Sequence, residues 1–301
     1  MNHLISMRDL NEKQIMAYMH LAEKIENGKV SINLQGKLMA ALFYEPSTRT
    51  RMSFETAMKR LSGEVISMVG TAGTSVQKGE TLADTAKIMA RYTDVIVIRH
   101  PNEGAARWVS EVVDVPVINA GDGSNQHPTQ SLLDLYSIMK TQGTLRDLNI
   151  TLVGDLKYGR TVHSLVQAMS PFNPTFTFVS PPSLAMPDDI LRELSDKNIS
   201  FANTEDLNSS ASSADIMYVT RIQRERFPDP EEYDKVKNLF IVNNSVLENA
   251  KDNLKVLHPL PRVNEIAVEV DSTPYAYYFE QAENGVIIRQ AILAKHLGVA
   301  E

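Results

Sequence analysis

Short, continuous apolar runs alternate along this chain with stripes of helical period, and the alternation starts twice. Leu38-Met39-Ala40-Ala41-Leu42-Phe43 is the first run, the pattern of a strand buried on both faces. Behind it Phe54, Ala57, Met58 and Leu61 recur at i, i+3, i+4 and i+7, one face of an amphipathic helix. Residues 65–69 predict a second strand, and Leu82, Ala86, Met89 and Ala90 a second helical stripe. Val95-Ile96-Val97-Ile98 is a third strand. Val115-Pro116-Val117-Ile118 is a fourth, whose proline marks a sheet edge or a strand start. Leu132, Leu135, Tyr136 and Met139 repeat the helical stripe. The pattern restarts at Ile150-Thr151-Leu152-Val153, with Val162, Leu165, Val166 and Met169 on the next helix and strands at 176–179, 216–219, 240–242 and 256–257. Two successive β-α series predict an α/β chain of two domains, each a parallel sheet flanked by helices, with the functional site in the cleft between them.

Length agrees, since 301 residues exceed one ordinary core and suit two domains of about 150 residues. The segment 285–297 reads as a helix that returns to the first domain, so the expected boundaries are 1–130 with 285–301, and 131–284. Ser180-Pro181-Pro182-Ser183 and Phe227-Pro228-Asp229-Pro230-Glu231-Glu232 read as loops. Lys and Arg number 30 against 37 Asp and Glu, with no basic stripe, which argues against a nucleic-acid partner. Cysteine is absent, which removes disulfides, thiolate nucleophiles and cysteine metal sites. The start, Met1-Asn2-His3-Leu4-Ile5-Ser6-Met7, lacks the apolar core of a signal peptide, and no apolar run approaches the ~20 residues that span a bilayer. A cytoplasmic location and no membrane partner are expected.

In open α/β sheets, ligands bind beyond the carboxyl ends of the strands, so the residues that follow each strand matter most. The first strand runs into Glu45-Pro46-Ser47-Thr48-Arg49-Thr50-Arg51 and then directly into a helix. Ser47 or Thr48 is placed to cap it, and the free N–H groups of its first turn face whatever lies in front. Arginine offers planar, bidentate donors to phosphate oxygens. The bland reading is a capped helix with a solvated basic turn, but cations are disfavoured at that end of the helix dipole. The other strand ends are Arg99, the stretch Gly121-Asp122-Gly123-Ser124-Asn125-Gln126-His127-Pro128-Thr129-Gln130, then Gly154-Asp155-Leu156-Lys157-Tyr158-Gly159-Arg160, Thr220-Arg221-Ile222-Gln223 and His258-Pro259-Leu260-Pro261-Arg262. Each alone has an ordinary structural explanation; five together point to a large anion site. Neither a Gly-x-Gly-x-x-Gly nor a Gly-x-x-x-x-Gly-Lys loop is present. The seven histidines show no metal-ligand spacing, and no serine sits in a Gly-x-Ser-x-Gly elbow. No cofactor and no metal are expected; positioning and electrostatic stabilisation remain.

Ser47-Thr48-Arg49-Thr50-Arg51, with Arg99-His100-Pro101 and His127-Pro128-Thr129-Gln130, resembles the carbamoyl-phosphate signature of the aspartate/ornithine carbamoyltransferase family. The motifs at 154–160, 220–223 and 258–262 are similar to those of its aspartate branch, the catalytic chains of aspartate carbamoyltransferases. The resemblance runs in order from Glu45 to the carboxyl-terminal helix. It implies a first domain that binds carbamoyl phosphate and a second that binds L-aspartate, with N-carbamoyl-L-aspartate and phosphate as products, an early step of pyrimidine biosynthesis.

By the same resemblance, Ser47, Thr48, Arg49 and Thr50 hold the phosphate, and Thr50, Arg99 and His127 donate to the carbonyl oxygen of carbamoyl phosphate. Gln130 contacts the carbamoyl amide. Ser75 and Lys78 lie on a loop that reaches a neighbouring subunit's site in this family, which implies a homotrimer with shared active sites. This loop is a residue shorter than the two-lysine form of some bacterial chains. Arg160, Arg221 and Gln223 bind the carboxylates of aspartate, Lys78 also reaches that substrate, and the Pro259 and Leu260 backbone lies near the reacting amines. Glu45 resembles the partner that Arg160 and Arg226 engage when the domains close, drawing in the loop near Phe227. A separate zinc-containing regulatory chain is a further expected partner. Ornithine transfer is the nearest rival. That branch usually has cysteine where this chain has Thr129 and Pro259, and Arg160 and Arg221 suit a dicarboxylate. A non-catalytic anion-binding homologue is the other alternative, opposed by the intact Arg49, Lys78, Arg99, His127 and Arg221.

Overall fold

The computed structural model describes residues 3–222, 224 and 229–299. The chain divides into two compact units, Met1–Tyr136 with Glu283–Glu301, and Ser137–Ala282. Both divisions fall within helices, where no turn signal marks the point at which a continuous helix changes packing partners. The boundaries expected from the sequence therefore lie a few residues away from them.

The first unit runs α1 (Glu12–Glu26), β1 (Leu38–Phe43), α2 (Thr48–Arg60), β2 (Glu64–Val69), α3 (Leu82–Tyr92), β3 (Val95–His100), α4 (Ala105–Val112), β4 (Val117–Asp122) and α5 (Pro128–Gln142). Its parallel sheet has the order β2-β1-β3-β4. Met39 to Phe43 are buried, because β1 is central and covered on both faces. Ala40, Leu42, Ile96, Ile98, Ala106 and Val109 form one core cluster. Pro116 stops short of β4, which is an edge strand, so both readings of that proline hold. Leu4 covers part of the edge, donating its N–H to Val117 O at 2.9 Å and accepting from Asn119 N at 2.8 Å. β2 is the other edge strand. Ile66 and Val69, read as part of a strand run, are exposed there.

The second unit runs β5 (Asn149–Val153), α6 (Arg160–Met169), β6 (Thr175–Val179), α7 (Asp188–Asp196), β7 (Phe201–Thr204), α8 (Leu207–Ser213), β8 (Ile216–Val219), α9 (Pro230–Val236), α10 (Asn244–Leu247) and β9 (Lys255–Leu257). Its parallel sheet has the order β7-β6-β5-β8-β9. Two expectations change. Residues 240–242 are not a sheet strand; only Val242 makes an isolated parallel bridge to Ile266. In the run 227–232, Asp229 caps α9 through Glu231 N and Pro230 opens the helix, while 227 and 228 lie outside the described residues. α11 (Tyr278–His296) begins earlier than its apolar stripe suggests. Ile288 and Ala291 to Ala294 on it are fully buried.

Candidate active site

The chain winds from β1 outward to β2, then reappears on the other side of β1 as β3 and β4. The strand order therefore reverses between β1 and β3, and the crevice at such a switch point is where open α/β sheets bind ligands. Phe43 pairs with Arg99 across it, and Tyr44 N donates to Arg99 O at 2.9 Å. The residues after Phe43 are thus held beside Arg99. Ser47 occupies the cap position of α2 in an extended conformation, but its hydroxyl makes no capping bond. Of the two residues expected to cap the helix, Ser47 holds the cap position, and its side chain satisfies none of the first-turn N–H groups. No acidic residue lies in that turn. It begins Thr48-Arg49-Thr50-Arg51, with Thr50 buried and Arg51 turned along the helix to Glu55 at 2.7 Å. Arg49 is the arginine left for the crevice. Burial, and then the Arg99 charge, lower its guanidinium below the usual arginine range. Two cations facing one space form a seat for an anion.

Arg99 is nearly buried. Its Nη2 donates to Glu45 Oε1 at 2.5 Å and its Nη1 to Ala120 O at 3.5 Å. Glu45, expected to engage Arg160 and Arg226 when both substrates are bound and the domains close, accepts from Arg99 here; Arg226 lies outside the described residues. β4 delivers the next group. Asp122 accepts from Asn119 Nδ2, Gln126 N and Gly104 N, and this folds the turn that places His127 ahead of α5. His127 and Gln130 are both buried. Thr129 Oγ1 lies 3.4 Å from His127 Nδ1, and Gln130 Nε2 donates to Asp134 Oδ1 at 2.9 Å. Ser75 and Lys78 lie on a 3-10 turn, Ser75–Lys78, exposed beyond edge strand β2. Among the described residues no hydrogen bond or ion pair joins either side chain to the Arg49–Arg99 group.

The second unit repeats the logic. Its strand order reverses between β5 and β8, and Thr220 ties the two ends together. Thr220 Oγ1 donates to Val153 O at 3.1 Å and accepts from Asp155 N at 3.1 Å. Gly154 has φ 111°, and a Cβ there would stand 2.3 Å from Thr220 O; only glycine permits this approach. Asp155 Oδ1 accepts from Tyr158 N at 2.9 Å, closing the turn that leads to Arg160, the first residue of α6. Arg221 follows Thr220 directly. Both arginines are half-buried on either side of the switch, and Gln223 lies outside the described residues.

After β9, His258 Nδ1 accepts from Leu260 N at 2.8 Å, while Nε2 lies 2.7 Å from Glu265 Oε1. The buried imidazole therefore carries its proton toward Glu265 and holds Pro259 and Leu260 at the strand end. Arg262 is the last of the strand-end arginines. Its guanidinium is bound by Asp271 and Tyr278, so it is engaged within its own unit. The sequence reading passed over Glu265, Asp134 and Arg289. Asp134 carries a legible signal, an acid four residues after Gln130 on a helix. Arg289 carries another, an arginine between the apolar runs Val286-Ile287-Ile288 and Ala291-Ile292-Leu293 of one helix.

The family model described as the aspartate/ornithine carbamoyltransferase, carbamoyl-P binding domain, matches residues 2–140, and that described as the Asp/Orn binding domain matches residues 146–295. The chain belongs to the aspartate/ornithine carbamoyltransferase family. Within that family it is 54% identical over 297 residues to the aspartate carbamoyltransferase catalytic subunit of Bacteroides fragilis, covering 98% of this chain and 96% of the relative. It is also 54% identical over 302 residues to that of Thermococcus onnurineus, covering 99% and 97%. The catalytic subunit of M. jannaschii aspartate transcarbamoylase superposes with a TM-score of 0.93 at 52% identity, covering 99% of this chain and 98% of that one. The Trypanosoma cruzi aspartate transcarbamoylase, solved with carbamoyl aspartate and phosphate, gives 0.90 at 37% identity over 97% and 95%.

Proposed function

We propose that this chain is an aspartate carbamoyltransferase, moving the carbamoyl group of carbamoyl phosphate to the amine of L-aspartate and releasing phosphate. The observation that carries this reading is the pair of neighbouring arginines, the exposed Arg49 and the mostly buried Arg99, at the helix-fronted switch point of the first sheet. Their chemistry suits a phosphoryl group next to a carbonyl. The aspartate relatives, with Thr129 and Pro259 in place of cysteine, favour aspartate over ornithine.

The aspartate amine attacks the carbonyl carbon, and charge builds on the carbonyl oxygen. Arg99, His127 and Thr50 donate to that oxygen, fixed donors that stabilise charge as it develops. Ser47, Thr48, Arg49, Thr50 and Ser75 hold the phosphate, which Arg49 and Lys78 neutralise as it departs and which accepts the amine proton. No side-chain base is required. Arg160, Arg221 and Gln223 bind the aspartate carboxylates, with Pro259 and Leu260 presenting backbone groups to the amine. Holding both substrates in line supplies much of the remaining acceleration.

The working form in this reading is a cytoplasmic homotrimer in which Ser75 and Lys78 complete the site of the next subunit. Their exposure beyond an edge strand supports it, as do the exposed Met52, Ile66, Val69 and Ile88 on α2, β2 and α3. The relatives' designation as catalytic subunits supports a separate regulatory chain, which would carry any structural zinc, since this chain has no cysteine. The product serves pyrimidine biosynthesis. Carbamoyl transfer assayed with aspartate and ornithine side by side tests the function. Aspartate is carbamoylated and succinate, which keeps both carboxylates without the amine, competes. Carbamoylation of ornithine with indifference to succinate would overturn the assignment.

A further inference from the structure

Gln130 sits one turn before Asp134 on α5, and its Nε2 donates to Asp134 Oδ1 at 2.9 Å. Gln130 is 8% exposed and Asp134 0%, so this bond is sheltered from water. The counter-charge comes from α11. Arg289 is 3% exposed, donates from Nη1 to Ser53 Oγ at 2.9 Å, and lies 5.0 Å from the centre of the Phe54 ring. Burial pulls its pKa down to about 10 while the Asp134 charge holds it up, so it is a cation at neutral pH. Gly285, one turn earlier on α11, makes room: a Cβ there would stand 2.5 Å from Arg289 Nη1.

An ionised carboxylate only accepts hydrogen bonds, whereas a glutamine amide has a donating and an accepting end. Asp134 therefore takes the NH2 of Gln130 and leaves the carbonyl oxygen as the end free to meet a ligand. An acceptor at that place is satisfied by N–H. A carbamoyl group supplies N–H where an acetyl group of the same shape supplies a methyl. A buried acceptor left without a donor costs more than the bond itself contributes, and this asymmetry is a strong source of substrate discrimination.

We propose that Asp134 is a positioning residue that fixes the sense of the Gln130 amide and thereby makes the site select a carbamoyl phosphate over an acetyl phosphate. The inference rests on the function proposed above and adds the residues that set its donor specificity. Asn in place of Asp134 presents either a donor or an acceptor to Gln130, so the amide is free to turn over.

The test is a double-mutant cycle of Asp134→Asn and Gln130→Ala. It reads KM for carbamoyl phosphate, Ki for acetyl phosphate as its competitor, and thermal stability. Asp134→Asn is expected to raise KM for carbamoyl phosphate about tenfold, the scale of one hydrogen bond, and to leave Ki for acetyl phosphate within about twofold of its starting value. In the Gln130→Ala background it should change neither. Equal changes for both ligands, or an unreduced effect in the double variant, mean a general structural role and overturn the proposal. If Asp134→Asn does not fold, Arg289→Gln removes the cation that favours an ionised Asp134 and is read in the same way: a selective rise supports the proposal and a parallel change overturns it. Wild type that carbamoylates aspartate while the variants keep its discrimination overturns this inference alone. Wild type that does not carbamoylate aspartate overturns the function, and this inference with it.

Discussion

Arg99 has Glu45 at 2.5 Å on one side and Arg49 near enough for its charge to be felt on the other. The site thus holds two cations together and balances one of them with a carboxylate that is 31% exposed. Arg99→Ala should lower kcat by about 10²–10³, the cost of losing one preorganised donor, while the thermal midpoint moves little because the side chain serves the crevice and not the core. Steady-state kinetics beside a melting curve check this; near-normal turnover would remove Arg99 from the oxyanion role. Arg99 is legible in the sequence because it follows an apolar run directly, and Arg49 because it lies in the strand-to-helix loop after one. Asp134 and Arg289 are not legible in the same way. Their meaning depends on a contact between α5 and α11, more than 150 positions apart, which no periodicity encodes.

A single turn or loop fixes each strand end, so its stability should follow the groups that tie it. After β9 the tie is Glu265. Burial raises its carboxyl, but the hydrogen bond from His258, together with backbone N–H donors, outweighs this and holds it below the usual 4.5. A depressed native value contributes stability that is present above the unfolded value and is lost as pH falls through the native one. Glu265→Gln should therefore cost about 1–3 kcal/mol at neutral pH, and the gap from wild type should close as pH falls below 4.5. Urea unfolding at a series of pH values reads this directly; a gap that does not change with pH would mean that the Glu265 charge contributes nothing. At the switch point of the second sheet the tie is Gly154. Gly154→Ala adds a Cβ 2.3 Å from Thr220 O at φ 111°, so β5 and β8 must part at their ends. A loss of about 2–4 kcal/mol is expected, with KM for aspartate raised because Arg160 and Arg221 flank the disturbed turn. Unchanged stability would show that the loop shifts without cost. Of these elements the strands were readable from their apolar runs. β7 was not, because Phe201-Ala202-Asn203-Thr204 is a short edge strand with both middle residues exposed, and residues 240–242 looked like a strand because burial in a loop produces the same apolar run.

At the scale of the whole molecule, Lys78 lies exposed on a turn beyond an edge strand, outside the Arg49–Arg99 group, which suits a residue that serves another subunit's site. A ring of three closes such head-to-tail contacts. Lys78→Ala and His127→Ala variants, each inactive, can be dissociated, mixed equally and reassembled. A wild-type site then needs one subunit with its own His127 beside a neighbour with its own Lys78, so about a quarter of all sites should recover. No recovery in trimers shown to be mixed would return Lys78 to its own subunit or remove it from the site. The amino-acid sequence by itself determined the two β-α series, the strand-end motifs and the family resemblance, because burial on two faces and helical packing impose periods of local range. Only the tertiary structure decided that β1 lies beside β3 and β5 beside β8, for strand order depends on which way each crossover turns. It also decided which arginines remain in the crevice. Arg51 and Arg262 read like Arg49 in the sequence, but folding turns each of them to a partner away from the Arg49–Arg99 group, whereas Arg99, though paired with Glu45, stays beside Arg49. For Arg262 the structure supplies Asp271 and Tyr278, and for Arg51 it supplies Glu55.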